Sequence, residues 1–299
     1  MCKCLSASQV REDLILHKTI SYTKFPILLA KSSLDSSEYI IKTFTKDDAS
    51  LSSYLREKQI LSSLDHSNII HYISNTSFRV EIPHSSYILM EYAPHGDFFN
   101  LLIENNVSGE KLIRTYFHHL IEGLDYLHSQ EVAHLDIKLE NLLLGKDFLL
   151  KIADFDVAQN VKDQLLFSQG TENYRAPEIQ AEDCQDYKAA DVYSAGICLF
   201  VLLAKTFPFL EAGSQYQNDF QSYKRFNINS EKYWNRMEKF LKNKIHFSKN
   251  LRELLNGMWT DDITKRFSLY QVKQSRWYNE PIYSNEELQV LMGTKLVSN

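Results

Sequence analysis

The sequence predicts an α+β chain of two lobes, in which a small antiparallel β-sheet with one helix precedes a larger, mainly helical part. Three observations predict it. The chain has 299 residues, 44% of them hydrophobic and 12% aromatic, enough apolar content for a real core and, at about 150 residues per domain, for about two packed units. Short β-type runs occupy about the first ninety residues, and helical periodicity dominates the remainder of the chain. Between them stands Ala93-Pro-His-Gly96, where Pro and Gly interrupt both periods.

From Leu14 to Phe44 the runs Pro26-Ile-Leu-Leu-Ala30 and Glu38-Tyr-Ile-Ile-Lys42 flank the Ser-rich turn Ser32-Ser-Leu-Asp-Ser-Ser37, the pattern of a hairpin. Asp47 to Leu64 spaces Leu51, Tyr54, Leu55, Ile60, Leu61 and Leu64 by about three and four, which predicts a helix with one buried stripe. Ile69–Tyr72 and Tyr87–Glu91 read as further strands. Leu112, Ile113, Tyr116, Phe117, Leu120, Ile121, Leu124 and Leu127 then mark a long helix. The apolar stretch from Ala195 to Ala204 is about half of what spans a bilayer and reads as a buried core helix, so no integral membrane segment is expected.

Composition excludes several classes of function. A net charge of −5 offers no general attraction to polyanions, so nucleic acid is not an expected partner. Cys2, Cys4, Cys184 and Cys198 are too few and scattered for a disulfide framework and lack a CxxC pair for zinc, which fits a cytoplasmic setting. The first residues lack the apolar run of a signal peptide, and Cys2 stands where myristoylation needs glycine, although Cys2 and Cys4 are open to acylation. His118-His119 lacks the second ligand pair that a metal site needs. The Lys/Arg-rich stretch from Lys224 to Lys244 carries Tyr, Phe and Trp at helical spacing and reads as a packed amphipathic segment.

The chemistry concentrates after the long helix. His134-Leu-Asp-Ile-Lys-Leu-Glu-Asn141 is succeeded, one turn later, by Lys151-Ile-Ala-Asp-Phe-Asp156. Carboxylates, an ammonium and an amide on two short loops suit a hard metal ion and a phosphate.

These residues resemble the eukaryotic protein kinases from about Leu14 to Trp277. His134, Asp136, Lys138 and Asn141 match the HRDxKxxN loop, and Asp154 and Phe155 match DFG. Gly170-Thr-Glu-Asn-Tyr-Arg-Ala-Pro-Glu178 resembles GTxxYxAPE, Asp191–Gly196 resembles the start of the anchor helix, and Asp262–Arg266 resembles the late DPxxR motif, whose Arg266 would pair with Glu178. The resemblance implies a bilobal kinase-like fold over residues 14–277, with a small lobe 14–92, a large lobe 93–277, and 1–13 and 278–299 as short extensions. It implies Asp136 as catalytic base, Lys138 steadying the transferring phosphate, and Asn141 and Asp154 binding Mg2+. For ATP it implies Lys42 on the phosphates, paired with Glu57, with Met90, Glu91 and Ala93 at the adenine. Asp97 would meet the ribose or simply start a helix. Ile20, Ile27, Ile40 and Leu143 complete the nucleotide-binding set. Lys138 and the GTxxY segment resemble the Ser/Thr class, so the expected substrate is a protein hydroxyl and the expected state a monomer. Glu140 resembles the acid that meets a basic residue upstream of the target, although Val201 replaces the second such acid.

The chain also departs from the family. The phosphate-covering glycines correspond to Ile20, Tyr22 and Phe25, and there is no glycine before Gly96. Side chains of this bulk should hold the strand pair off or cover the site. Ile40 replaces the Ala that packs on adenine, Asp156 the Gly of DFG, and Leu135 the Arg of HRD. These departures support a second reading, a pseudokinase that acts as a binding scaffold. The usual phosphorylated Thr of the activation loop corresponds to Phe167, leaving Ser168 as the nearest acceptor. With Leu135 unable to pair a phosphate, no activation-loop switch is expected.

Overall fold

The computed structural model describes residues 12–21, 25–74, 78–80, 82, 85–104, 107–163, 170–181, 184, 186–209, 220–242 and 244–297. Tyr22, Phe167, Ser168, Cys2 and Cys4 lie outside them. The chain divides into two compact units, one running to Asp65 and resuming over Ile70–Tyr92, the other comprising His66–Ile69 and the chain from Ala93 onward.

The first unit is a sheet of β1 (Glu12–Ser21), β2 (Ile27–Ser32), β3 (Glu38–Thr45), β4 (Tyr72–Ile73), β5 (Phe78–Arg79) and β6 (Ser85–Glu91), with helix α1 (Asp48–Leu61) after β3. Its order is β4-β6-β3-β2-β1-β5. All pairs are antiparallel except β1 with β5. The wholly antiparallel sheet expected from the sequence is corrected at this edge, because β5 lies at the opposite edge of the sheet from β4 and pairs there in parallel with β1. The strand expected at Ile69–Tyr72 is also displaced. Tyr72–Ile73 is the strand, and Ile69 makes an isolated parallel bridge to Ile152, both within the second unit.

Register decides what each face of the sheet carries. Ile27 lies opposite Lys42 and Lys42 opposite Ile88; Leu29 lies opposite Ile40 and Ile40 opposite Met90. Opposed residues share a face, so Ile27, Leu29, Ile40, Lys42, Phe44, Ile88 and Met90 line one side. Ala30, Ile41 and Leu89 line the other and cluster with Leu14, covered by Tyr39, Phe78 and Tyr87.

Helix α1 starts at a cap, since the Asp47 carboxylate accepts from Ser50 N at 2.9 Å. Its buried stripe differs from the expected one. Ser50, Ser53, Glu57 and Leu61 are buried, whereas Leu51 and Leu55 are 39% and 56% exposed. A carboxylate can lie on the buried side because it meets a cation there, Lys42 of β3.

The second unit contains α2 (Phe98–Ile103), α3 (Glu110–Ser129), β7 (Val132–Ala133), β8 (Leu142–Leu144), β9 (Leu150–Ile152), β10 (Gln159–Asn160), α4 (Pro177–Gln180), α5 (Tyr187–Ala204), α6 (Phe220–Ile228), α7 (Ser230–Phe240), α8 (Lys249–Trp259), α9 (Leu269–Gln274) and α10 (Asn285–Val297). Helix α5 is long and apolar enough by composition to cross a membrane, but nearly all of its side chains are buried against neighbours that include α3 and α8. Asp186 caps its start through Ala189 N at 3.0 Å, and Lys205 ends it in a left-handed turn with φ of 56°. The Lys224–Lys244 stretch packs as expected: Phe226 and Trp234 join Phe209 and Trp259 in an aromatic cluster, with Trp234 and Trp259 stacked at 6.2 Å. Each such buried ring contributes about 1.5–3 kcal/mol.

His118 stacks on Tyr278 at 3.6 Å, and burial holds the His119 imidazole down to about 4. After Trp277 the described chain continues into α10, which buries Leu288 and Met292, and Tyr283 N donates to Thr115 on α3 at 3.0 Å.

Candidate functional site

Two groups of side chains, one in each unit, carry the candidate chemistry. In the first unit, Lys42 on β3 extends its ammonium to both carboxylate oxygens of Glu57 on α1, at 2.9 and 2.8 Å. Both residues are buried. A buried ion pair of this closeness fixes the ammonium in place, at a desolvation penalty that makes it weak evidence for stability and stronger evidence for function. Ile40, Met90 and Ile27 share its face. Glu91 N donates to His71 O at 3.0 Å, and the Glu91 carboxylate accepts from His71 N at 2.7 Å. Ile20 is 45% exposed. Phe25, between β1 and β2, is buried, and its ring lies 5.5 Å from the Lys42 ammonium.

In the second unit a single buried carboxylate organises the loop after β7. Asp191 on α5 accepts from His134 N at 2.9 Å, Leu135 N at 2.8 Å and His128 Nε2 at 2.9 Å. These bonds hold Leu135 in a left-handed conformation, φ 63°, that a branched residue adopts only under constraint. The strain turns the chain so that Asp136, next in sequence, emerges from the buried layer.

Four donors then converge on the Asp136 carboxylate. Lys138 Nζ lies 2.6 Å from Oδ2 and Asn141 Nδ2 3.0 Å from Oδ2; Thr171 gives its N–H at 2.7 Å and its hydroxyl at 2.8 Å to Oδ1. Lys138 also donates to Thr171 Oγ1 at 2.8 Å. A carboxylate so surrounded is fixed in orientation. In the sequence, Thr171 stands out only as one member of the GTxxY segment, and no role at the site attaches to it there. The available signal is Gly170 before it: at φ 87° a Cβ there would collide with Leu135 O, so glycine alone lets the two loops approach.

Asn141 donates its amide nitrogen to Asp136 O at 2.9 Å as well, which leaves its carbonyl oxygen as the group suited to a hard cation. Asp154 is exposed and left-handed, φ 63°. The substitution of Asp156 for glycine meets no such demand, because the positive φ lies at Asp154 and not at Asp156. Among the described residues no three His, Cys, Asp or Glu side chains gather as a metal site. One amide oxygen and one carboxylate fit Mg2+, which keeps several waters and takes phosphate oxygens, better than a metal held wholly by protein.

Asp97 caps α2, accepting from Asn100 N at 2.9 Å and Asn100 Nδ2 at 2.7 Å, so the helix-start reading of this residue holds. Leu143 on β8 bridges to Asp97, and Ala93 is buried. Glu140 is exposed. Arg266 and Glu178 form the ion pair that the sequence pattern implied, with Nη2 and Oε2 3.0 Å apart and further bonds to Thr260 O. Desolvation opposes the Arg266 charge, but the Glu178 carboxylate outweighs it and raises the guanidinium pKa.

A profile of the protein kinase domain matches residues 26–278. The chain is 31% identical over 252 residues to CBL-interacting protein kinase 11 of Oryza sativa subsp. japonica, covering 82% of this chain and 46% of the relative. It is 34% identical over 232 residues to CBL-interacting protein kinase 28 of the same organism, 76% of this chain and 49% of the relative. With CBL-interacting serine/threonine-protein kinase 8 of Arabidopsis thaliana it shares 36% identity over 159 residues, 52% of this chain and 35% of the relative. The chain spans about half the length of the first two relatives and about a third of the last.

Proposed function

The chain belongs to the eukaryotic protein kinase family, and from that premise we propose that it transfers the γ-phosphoryl group of ATP to a serine or threonine hydroxyl of a protein. The observation that carries this reading is the Asp136 carboxylate held by Lys138, Asn141 and Thr171. As the substrate oxygen bonds to the γ-phosphorus and the bond to the β–γ bridging oxygen breaks, Asp136 accepts the hydroxyl proton and ADP leaves. Lys138, within reach of both Asp136 and Thr171, offsets charge on the transferring group. Lys42, fixed by Glu57, holds the α- and β-phosphates. Asn141 and Asp154 hold Mg2+, which when bound neutralises phosphate charge. Met90, Glu91 and Ala93 meet adenine, Ile20, Ile27, Ile40 and Leu143 frame it, and Asp97 stands near the ribose while capping its helix.

The pseudokinase alternative is disfavoured, since Lys42, Glu57, Asp136, Lys138, Asn141 and Asp154 are all present. The decisive experiment is transfer of radiolabelled phosphate by the purified chain beside Asp136→Asn. Transfer by the wild type that falls at least a hundredfold in the variant supports the proposal, and equal signals sink it.

The reading extends to substrate choice. The exposed carboxylate of Glu140 suits an Arg upstream of the target hydroxyl by charge complementarity. A peptide array selecting acidic or proline-directed sites would overturn that preference. A cytoplasmic monomer completes the reading, checked by fractionation and by light scattering.

A further inference from the structure

We propose that Phe25 is an aromatic cover over Lys42, an apolar gate that a nucleotide's phosphates must displace before they reach the ammonium; this rests on reading Lys42 as the phosphate-holding lysine. Phe25 lies in the turn between β1 and β2, where the family carries glycines that leave backbone N–H groups open to phosphate. Here the position holds a ring, and the ring is 4% exposed.

Three relationships direct it onto Lys42. Phe25 stands two residues before Ile27, whose register partner is Lys42, so the two side chains start on the same face of the sheet. Thr43 N and Thr43 Oγ1 both donate to Pro26 O, at 3.0 and 3.1 Å, which pins the backbone beside Phe25 to β3. The ring then packs on Phe44 with centroids 4.5 Å apart, and Phe44 packs in turn on Tyr54 of α1 at 5.5 Å.

Lys42 Nζ consequently lies 5.5 Å from the Phe25 ring and 5.7 Å from the Phe44 ring, while it donates to both carboxylate oxygens of Glu57. An aromatic face carries negative potential, so it attracts the ammonium and repels a phosphate. The same ring therefore holds the lysine in its ion pair and disfavours the polyanion. Adenosine, which has no phosphate, is indifferent to it.

The test compares the full chain with Phe25→Ala and with Phe25→Leu, which keeps apolar volume but has no π face. Acetic anhydride labels lysines, and peptide mass spectrometry reads Lys42 against Lys249, an exposed internal reference. The cover predicts that Lys42 labelling rises about tenfold in Phe25→Ala and at least threefold in Phe25→Leu. If far-UV circular dichroism shows that the Ala variant is unfolded, Phe25→Leu decides alone. Unchanged labelling in the folded variants overturns the proposal. Calorimetry supplies the second arm: Mg-ATP should bind about tenfold tighter to Phe25→Ala, and adenosine equally to both forms. Faster labelling without tighter ATP binding overturns the gate while leaving the kinase reading intact. If neither ATP nor adenosine binds any form, the kinase reading fails and the gate fails with it.

Discussion

Thr171 donates both its backbone N–H and its hydroxyl to one oxygen of Asp136, at 2.7 and 2.8 Å, while receiving a hydrogen bond from Lys138 at 2.8 Å. The hydroxyl thus links the proposed base to the proposed phosphate-steadying lysine. Thr171→Ala removes that link but keeps the backbone bond. A hydrogen bond to a charged group contributes about 1.5–3 kcal/mol, so kcat should fall about 10- to 100-fold, and Thr171→Ser should restore most of it. Steady-state kinetics check this, and an Ala variant at the wild-type rate would refute the role.

The ion pair of Arg266 and Glu178 is buried at both ends. Glu178→Ala leaves the guanidinium without its counter-charge and should destabilise the second unit by about 3–5 kcal/mol. Trp234, Trp259 and Trp277 all belong to that unit, so urea unfolding monitored by tryptophan fluorescence reports on it. A loss below about 1 kcal/mol would show that the carbonyls that also accept from Arg266, Thr260 O at 3.1 Å and Ala189 O at 3.3 Å, suffice.

Leu135 is buried, and its backbone N–H is held by Asp191. No guanidinium stands at this position to receive a phosphate on the activation loop. Phosphatase treatment of active protein, and separately Ser168→Ala, should each leave the rate within about twofold. A tenfold loss in either, with the fold intact, would show that a loop phosphate is required.

Burial holds His119 at about 4, below its usual 6.5, so the folded chain resists the proton that the unfolded chain accepts. Above pH 6.5 both states are neutral and the residue adds no penalty. As pH falls from 6.5 towards 4 only the unfolded state gains the proton, and stability declines by up to about 3 kcal/mol before levelling off. The difference in unfolding free energy between the wild type and His119→Gln, measured from pH 7 to pH 4, should move in favour of the variant as pH falls. A constant difference would contradict this.

Local pattern made much of the fold legible. The hairpin of β2 and β3, the start of α1 at Asp47, the strand ending at Glu91 and the long helix α3 arise from alternation, capping residues and helical spacing within one segment. The residue types at Lys42, Glu57, Asp136, Lys138, Asn141 and Asp154 were legible too, since order and spacing carry them. Hydrophobicity alone misjudged α1: it favoured Leu51 and Leu55 for the buried stripe, where the structure buries Ser50, Ser53 and Glu57. The pairing of Glu57 with a lysine 15 residues away outweighs the exposure of two leucines.

The sequence by itself determined the order of elements and the chemical groups available, because both depend on neighbours a few residues apart. The tertiary structure alone decided that β5 runs parallel to β1, that Asp191 reaches back 56 residues to hold Leu135, that Thr171 reaches 35 to close on Asp136, and that Phe25 turns onto Lys42. Each of these is a contact between residues distant in the chain, formed only when packing brings separate segments together so that their buried polar groups and charges meet.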